Sequence, residues 1–510
     1  MVVSERVATA AGPVVGFTDD GVVRWRSIPY ARPPVGPLRL RAPQPPVPWR
    51  MARYCDKYGF APPQRRLYTA LMGKFQPTSE DCLTLNVTAP ATAGEQPLPV
   101  MFWIHGGAYI MGTSAIYNGA HLARRGCVYV SANYRLGALG CMDLSSLSTP
   151  QYPIDSNLFL RDLVMALQWV RDNIANFGGD PEAVTIFGES AGAHAVQTLL
   201  ATPAARGLFH RAIVQSTTFG LVRSAQEAAD FAVQLAALLG AHPHEAAETL
   251  MHIDCARLIA APEEMLKAST RDNVGQAPFG PAVDGDYLPR DPVEAMRLGE
   301  ANPVPVIVGN TAVEARAFTR GPLAYMPLTE PLIEEMLAVA EPAVREQIRA
   351  AYPGYPDRDA CIQLGGDRFF TAGGWQIAEA HSRHHPTYVY RYDYSPRTLD
   401  WLGVGGAHGT DLLATFDLYR SKFGRLLTLA GDRRRARRVS DDVQSRWLAF
   451  AATANPGNDW PAYANPERAV MIFDRNPRVE ADPVVARRQA WEEFDRAAAG
   501  GQRPLIVDVP

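Results

Sequence analysis

Apolar runs and amphipathic stretches alternate along the chain in a rhythm that a parallel sheet imposes. Pro99-Val100-Met101-Phe102-Trp103-Ile104 and Cys127-Val128-Tyr129-Val130-Ser131-Ala132-Asn133-Tyr134 have the length and near-continuous apolarity of strands buried on both faces. Ser79 through Val87 alternates as a half-buried strand does. Between Asn157 and Asn173, Leu160, Leu163, Val164, Leu167 and Val170 recur on one helical face. Val184-Thr185-Ile186-Phe187 then reads as strand and Ala191 onward as helix, and Arg211–Ser216, Val304–Gly309 and Thr387–Tyr392 return to strand. Strand and helix in this order predict an α/β protein with a central, mostly parallel, twisted sheet and helices on both faces. Ala-, Leu- and Glu-rich stretches near Ser224–Leu266 and Thr329–Ala350 are expected as helical excursions, and Asp441–Thr453 as a further helix. From Gly12 to Trp49 the prolines allow only short strands and turns, and a Pro/Asn-rich tail is expected to close the chain. With no internal repeat, linker or composition break, residues 1–510 are expected to form one domain.

Composition narrows the partners. The net charge of −3 provides no global basic field for nucleic acid or an anionic membrane. The local exception, Arg433-Arg434-Arg435-Ala436-Arg437-Arg438, reads as a solvated helix face. Six cysteines in 510 residues make no disulfide framework and show no Cys-x-x-Cys spacing. The N-terminus lacks the pattern of a secretory signal, and no apolar run reaches the roughly 18 residues of a membrane span. A cytoplasmic protein is the expectation.

The candidate chemistry lies where the apolar strand ending at Phe187 meets its helix. Gly188-Glu189-Ser190-Ala191-Gly192 is a Gly-x-Ser-x-Gly turn in the strand-turn-helix setting of a nucleophile elbow. Small flanking glycines let the two arms pass, and the new helix points free N–H groups at the space in front of Ser190. Acyl transfer by serine also requires a base, an acid to orient it and donors for an oxyanion. His408, in the glycine-flanked loop Gly403–Gly409, is the candidate base; Glu314, just past the Val304–Gly309 strand, is the candidate acid, with Asp393 and Asp411 as rivals. The backbone N–H groups of Gly106, Gly107 and Ala191 are the candidate oxyanion donors. His194, one turn after Ser190, is expected to pack rather than react. His381, His384 and His385 have helical spacing but no carboxylate or cysteine companion, and are expected to be surface histidines rather than metal ligands.

The order Ser190, Glu314, His408 is that of an α/β-hydrolase triad. Together with Ser79–Val87, His105-Gly106-Gly107, Asn133-Tyr134-Arg135-Leu136-Gly137 and Phe177-Gly178-Gly179-Asp180-Pro181, it makes the chain resemble the type-B carboxylesterases from about Gly12 to Trp491. That family includes cholinesterases, bacterial para-nitrobenzyl esterases and non-catalytic neuroligins. The resemblance implies an α/β-hydrolase fold and a serine carboxylesterase acting on a small-molecule ester, with neither cofactor nor metal. It also implies that Glu189 and Ser216 lie behind the histidine. A neuroligin-like binding protein is the alternative from another class, against which the presence of Ser190, Glu314 and His408 counts; an amidase or lactonase would use the same residues. Pro62 stands where relatives often carry the cysteine that pairs with the Cys82 position, so Cys82 is expected free unless Cys55 takes that role. Val313-Glu314-Ala315 departs from the Asp-Glu-Gly common in relatives, and Thr410-Asp411 from their glutamate. Phe279-Gly280-Pro281 resembles the segment lining the acyl side of the pocket. Gly275 and Ala277 stand where acetylcholinesterases carry bulky aromatics, and the loop from Pro62 to Cys82 has no tryptophan to hold choline. Small to medium acyl chains on neutral alcohols are therefore expected.

Overall fold

A computed structural model describes residues 5–66, 76–92, 94, 96–272, 277–319 and 326–500. An 11-stranded sheet carries the architecture. In chain order its strands are β1 (Phe17–Asp19), β2 (Val22–Pro29), β3 (Thr84–Pro90), β4 (Leu98–Ile104), β5 (Val128–Ala132), β6 (Gly179–Glu189), β7 (Arg211–Gln215), β8 (Val306–Thr311), β9 (Thr387–Tyr392), β10 (Ala469–Phe473) and β11 (Arg478–Ala481). Across the sheet they run β11-β10-β9-β8-β7-β6-β4-β5-β3-β2-β1. Every pairing from β10 to β5 is parallel, and the edge pairings are antiparallel.

Burial on both faces explains why the inner strands read as unbroken apolar runs. In β4, Val100, Phe102 and Ile104 enter one apolar cluster, while Met101 and Trp103 point the opposite way into another. The first cluster is covered by helix Leu158–Asn173, whose Leu160, Leu163, Val164, Leu167 and Val170 are all buried as their spacing predicts. The second is covered by helix Arg433–Thr453 through Val439, Val443, Trp447 and Phe450.

Three expectations about elements need correction. The Ser224–Leu266 stretch is broken into helices Ala225–Leu238, Ala246–His252 and Cys255–Asp272. The tail is regular: β10, β11 and helix Val485–Gly500 follow the Pro/Asn-rich stretch, because Ala469–Phe473 is apolar enough to extend the sheet and is buried throughout. The helix expected from Asp441 begins at Arg433, so the arginine run forms its first turns; Arg433, Arg434, Arg435 and Arg438 are exposed, as a solvated face requires.

Candidate active site

The carboxyl ends of β8, β7, β6 and β4 lie side by side, where an open α/β sheet places its ligands. The register aligns Ile104 with Gly188, and Gln215 with both Glu189 and Gly309. Each strand therefore delivers its following residues to one edge: His105-Gly106-Gly107 from β4, Ser190-Ala191 from β6, Ser216 from β7 and Glu314 from β8.

Ser190 occupies φ 60°, ψ −127°, at the head of helix Ala191–Leu200. A non-glycine residue held there is strained, and packing on both sides maintains it. A Cβ on Gly192 would lie 2.2 Å from the Ile104 carbonyl oxygen, and one on Gly188 would lie 2.6 Å from Gly192. The Ser190 N–H donates to the Gln215 carbonyl at 3.0 Å, tying the turn to β7. Gly106 faces the same turn: a Cβ there would sit 3.0 Å from the Ser190 Cβ and 2.5 Å from the Glu189 carbonyl oxygen.

Glu314 and His408, 94 residues apart, meet across 2.7 Å between Oε2 and Nδ1. The other carboxylate oxygen, Oε1, accepts from the Ser216 hydroxyl at 2.7 Å and the Thr311 N–H at 2.7 Å, with the Asn310 amide at 3.4 Å. Burial alone would raise the Glu314 pKa, but the hydrogen bond and charge of His408, with Ser216 and Thr311, outweigh it and hold the carboxyl below its ordinary value. His408 Nε2 has no hydrogen-bond partner. Glu189 Oε1 lies 3.1 Å from it, outside hydrogen-bonding geometry. Burial pulls the imidazole down, yet the Glu189 charge, the bond to Glu314 and the charges of Glu314 and Asp411 push it up to about 9. Burial raises Glu189 to about 7 against the pull of His408.

The rival carboxylates are occupied elsewhere. Asp393 makes a two-pronged pair with Arg391, and Asp411 accepts from the Tyr390 hydroxyl and the Gln215 amide, each at 2.9 Å. His194 is buried and hydrogen-bonds the Tyr109 hydroxyl at 2.9 Å, and burial lowers its pKa to about 3. His381 corrects an expectation: it is buried, with Nε2 2.8 Å from the Val304 carbonyl, so only its neighbours His384 and His385 reach solvent. Among the described residues no group of three His, Cys, Asp or Glu is placed to hold a metal. On the expected acyl side, the Ala277 carbonyl accepts from the Arg223 guanidinium and Phe279 is buried, while Gly275 lies outside the described residues.

Two contacts had no signal in spacing. Phe370 and Phe318 place their rings 4.2 and 5.2 Å from the His408 ring, so aromatic faces restrain the imidazole. Phe370 is delivered by a π-helical turn, Asp367–Thr371, which periodicity cannot reveal. The Asn133–Gly137 motif also turns out to be scaffold. Arg135 grips buried Asp162 through two guanidinium nitrogens at 2.8 and 2.5 Å, and Tyr134 stacks on His105 while donating to its carbonyl at 2.7 Å.

The family model of the Carboxylesterase family matches residues 3–491. The chain belongs to the carboxylesterase family. It is 35% identical to the para-nitrobenzyl esterase of Bacillus subtilis (strain 168) over 95% of this chain and 97% of that one. It is 33% identical to the liver carboxylesterase of Sus scrofa, covering 91% and 89%. A solved para-nitrobenzyl esterase superposes with a TM-score of 0.85 at 33% identity, covering 95% of this chain and 99% of that one. A carboxylesterase from Geobacillus stearothermophilus does so at 0.81 and 32%, covering 96% and 100%. This carboxylesterase is thus a carboxylic ester hydrolase on the α/β-hydrolase fold.

Proposed function

We propose that this esterase works through an acyl-enzyme on Ser190, with His408 as base and Glu314 as the acid that orients it. The observation that carries the reading is the 2.7 Å bond between Glu314 and His408 Nδ1, with Nε2 left free at the elbow. The Nδ1–H donates to ionised Glu314, fixing the tautomer in which Nε2 has a lone pair to offer. Ser190 Oγ bonds to the ester carbonyl carbon as its proton moves to Nε2. The negative oxygen is received by the N–H groups of Gly106, Gly107 and Ala191, at the positive end of helix Ala191–Leu200. His408 then gives the proton to the leaving alcohol oxygen as the C–O bond breaks; a water, deprotonated by the same nitrogen, attacks the acyl carbon, and the proton passes to Ser190 Oγ as the acyl–Oγ bond breaks and the carboxylic acid leaves. Ser216 supports the acid from behind by donating to Glu314, and Glu189 lies beside Nε2 and raises the basicity of the histidine. The substrates are small to medium acyl esters of neutral alcohols, and the working unit is a single domain.

A fluorophosphonate should label Ser190 covalently, and Ser190→Ala should lower kcat by roughly a million-fold while leaving circular dichroism unchanged. Peptide mapping that places the label on another residue would remove Ser190 from the mechanism.

A further inference from the structure

Neither the sheet nor the triad uses the arginine run at the start of helix Arg433–Thr453. Its surroundings are unusual for a merely solvated face. From Lys422 to Arg438 the chain holds Lys422, Arg425, Arg433, Arg434, Arg435, Arg437 and Arg438 against one acid, Asp432, which is buried and turned toward Arg397. Among the described residues none of these cations forms an ion pair. The neighbouring charges of Arg437 and Arg425 depress the Arg433 pKa, the signature of crowded like charge at the surface.

Segments beside this run expose large apolar side chains. Trp401 is 77% exposed, Leu402 58%, Phe423 57%, Leu426 59% and Leu429 73%. They belong to neighbouring segments: the Arg397 N–H donates to Asp432 at 2.7 Å, which fastens helix Arg397–Trp401 to the start of the arginine helix, and Arg435 and Asp400 both act on the Tyr394 hydroxyl. Leu399 and Leu427, next to these exposed residues in sequence, are buried in one core cluster.

We infer that this face is an interfacial docking surface for an anionic lipid bilayer. Exposed tryptophan, phenylalanine and leucines rimmed by arginines match a headgroup boundary, where apolar side chains enter the acyl edge and cations meet lipid phosphate. A nucleic acid would use the cations but leave the leucines of this face in water, which is why lipid is the better fit. No helix among the described residues is long and apolar enough to cross a membrane, so the contact lies on the surface. Leu402 and Val404 also line a cleft of about 550 Å³ with Arg316 and Ile362, and the loop continues from there to His408. A docked enzyme would thus hold the His408 side of the molecule against the lipid.

The test is co-sedimentation of the full chain with phosphatidylcholine vesicles, with and without phosphatidylglycerol. Binding should require the anionic lipid and fall steeply at high salt, where the screening length shrinks to about 3 Å. Replacing Arg433, Arg434, Arg435 and Arg438 by Gln should weaken partitioning by at least about tenfold, since each cation near such a surface is worth roughly fivefold. Trp401→Ser with Leu429→Ser should weaken it comparably at unchanged charge. Both variants should keep wild-type turnover of a soluble p-nitrophenyl ester, which shows that they fold and separates this surface from the catalytic reading. Equal binding to neutral vesicles, indifference to the Trp401/Leu429 pair, or loss of vesicle binding to a slight excess of single-stranded DNA would overturn the proposal.

Discussion

Glu189→Gln isolates the charge that sits 3.1 Å from the free nitrogen of His408. In the wild type His408 is raised to about 9 and Glu189 to about 7, so between these values an ionised Glu189 faces an imidazolium. The imidazolium cannot accept the serine proton; kcat/KM should therefore be lost as pH falls through the raised His408 value, with the limb in mild alkali. Removing an opposite charge at this range lowers the imidazole pKa by roughly one to three pH units. For a fall of about two, the neutral fraction at pH 8 rises from about one tenth to about nine tenths, moving the acidic limb to lower pH. The alkaline plateau should move the other way, because the imidazolium formed during acyl transfer loses its neighbouring anion. The assay is the pH profile of kcat/KM for a soluble ester, which reports groups of the free enzyme. Superimposable limbs, or a limb displaced to higher pH in the variant, would refute the idea that Glu189 sets the basicity of His408.

Glu314→Gln should cost about ten-thousand-fold in kcat with the fold intact, while Asp411→Asn should not; the reverse ranking would name Asp411 as the acid. Cys55 and Cys82 are both buried free thiols, so dithiothreitol should change neither activity nor Tm. Butyryl and hexanoyl esters of one alcohol should be turned over at least as well as acetyl, gaining up to about 0.8 kcal/mol per buried CH₂, and a neutral thioester should be preferred to acetylthiocholine; preference for acetyl or for choline would contradict the proposed substrate class.

What was legible in the sequence was what the backbone enforces. The glycines of the elbow are required because Gly188, Gly192 and Gly106 all approach main chain or Ser190 more closely than a Cβ permits. The inner strands were legible because burial on both faces leaves no polar alternation to confuse them. The start of helix Arg433–Thr453 was not: its first turns carry charge nearly all round, and only Ala436 and Val439 face the core before Ser440. His381 misled because helical spacing records which residues share a face but not that the face is covered, here by the Val304 backbone. The Phe370 contact was unreadable for a different reason. It depends on a π-helical turn and on packing against a loop 38 residues further along, and neither leaves a periodic trace.

The site's charges are fastened to the sheet rather than to loops alone. Register pairs Glu189 of β6 with Gln215 of β7, and the Gln215 side chain then donates to Asp411 Oδ2, the same oxygen that accepts from the Tyr390 hydroxyl of β9. Ser216, the next residue after Gln215, binds Glu314, whose second anchor is the N–H of Thr311 at the end of β8. A slip of one residue between β6 and β7 would turn Glu189 to the opposite face of the sheet and withdraw its charge from the imidazole. The strand pairing that buries the apolar core therefore also fixes the three carboxylates around His408, and the basicity of the histidine is set by the same register that stabilises the fold.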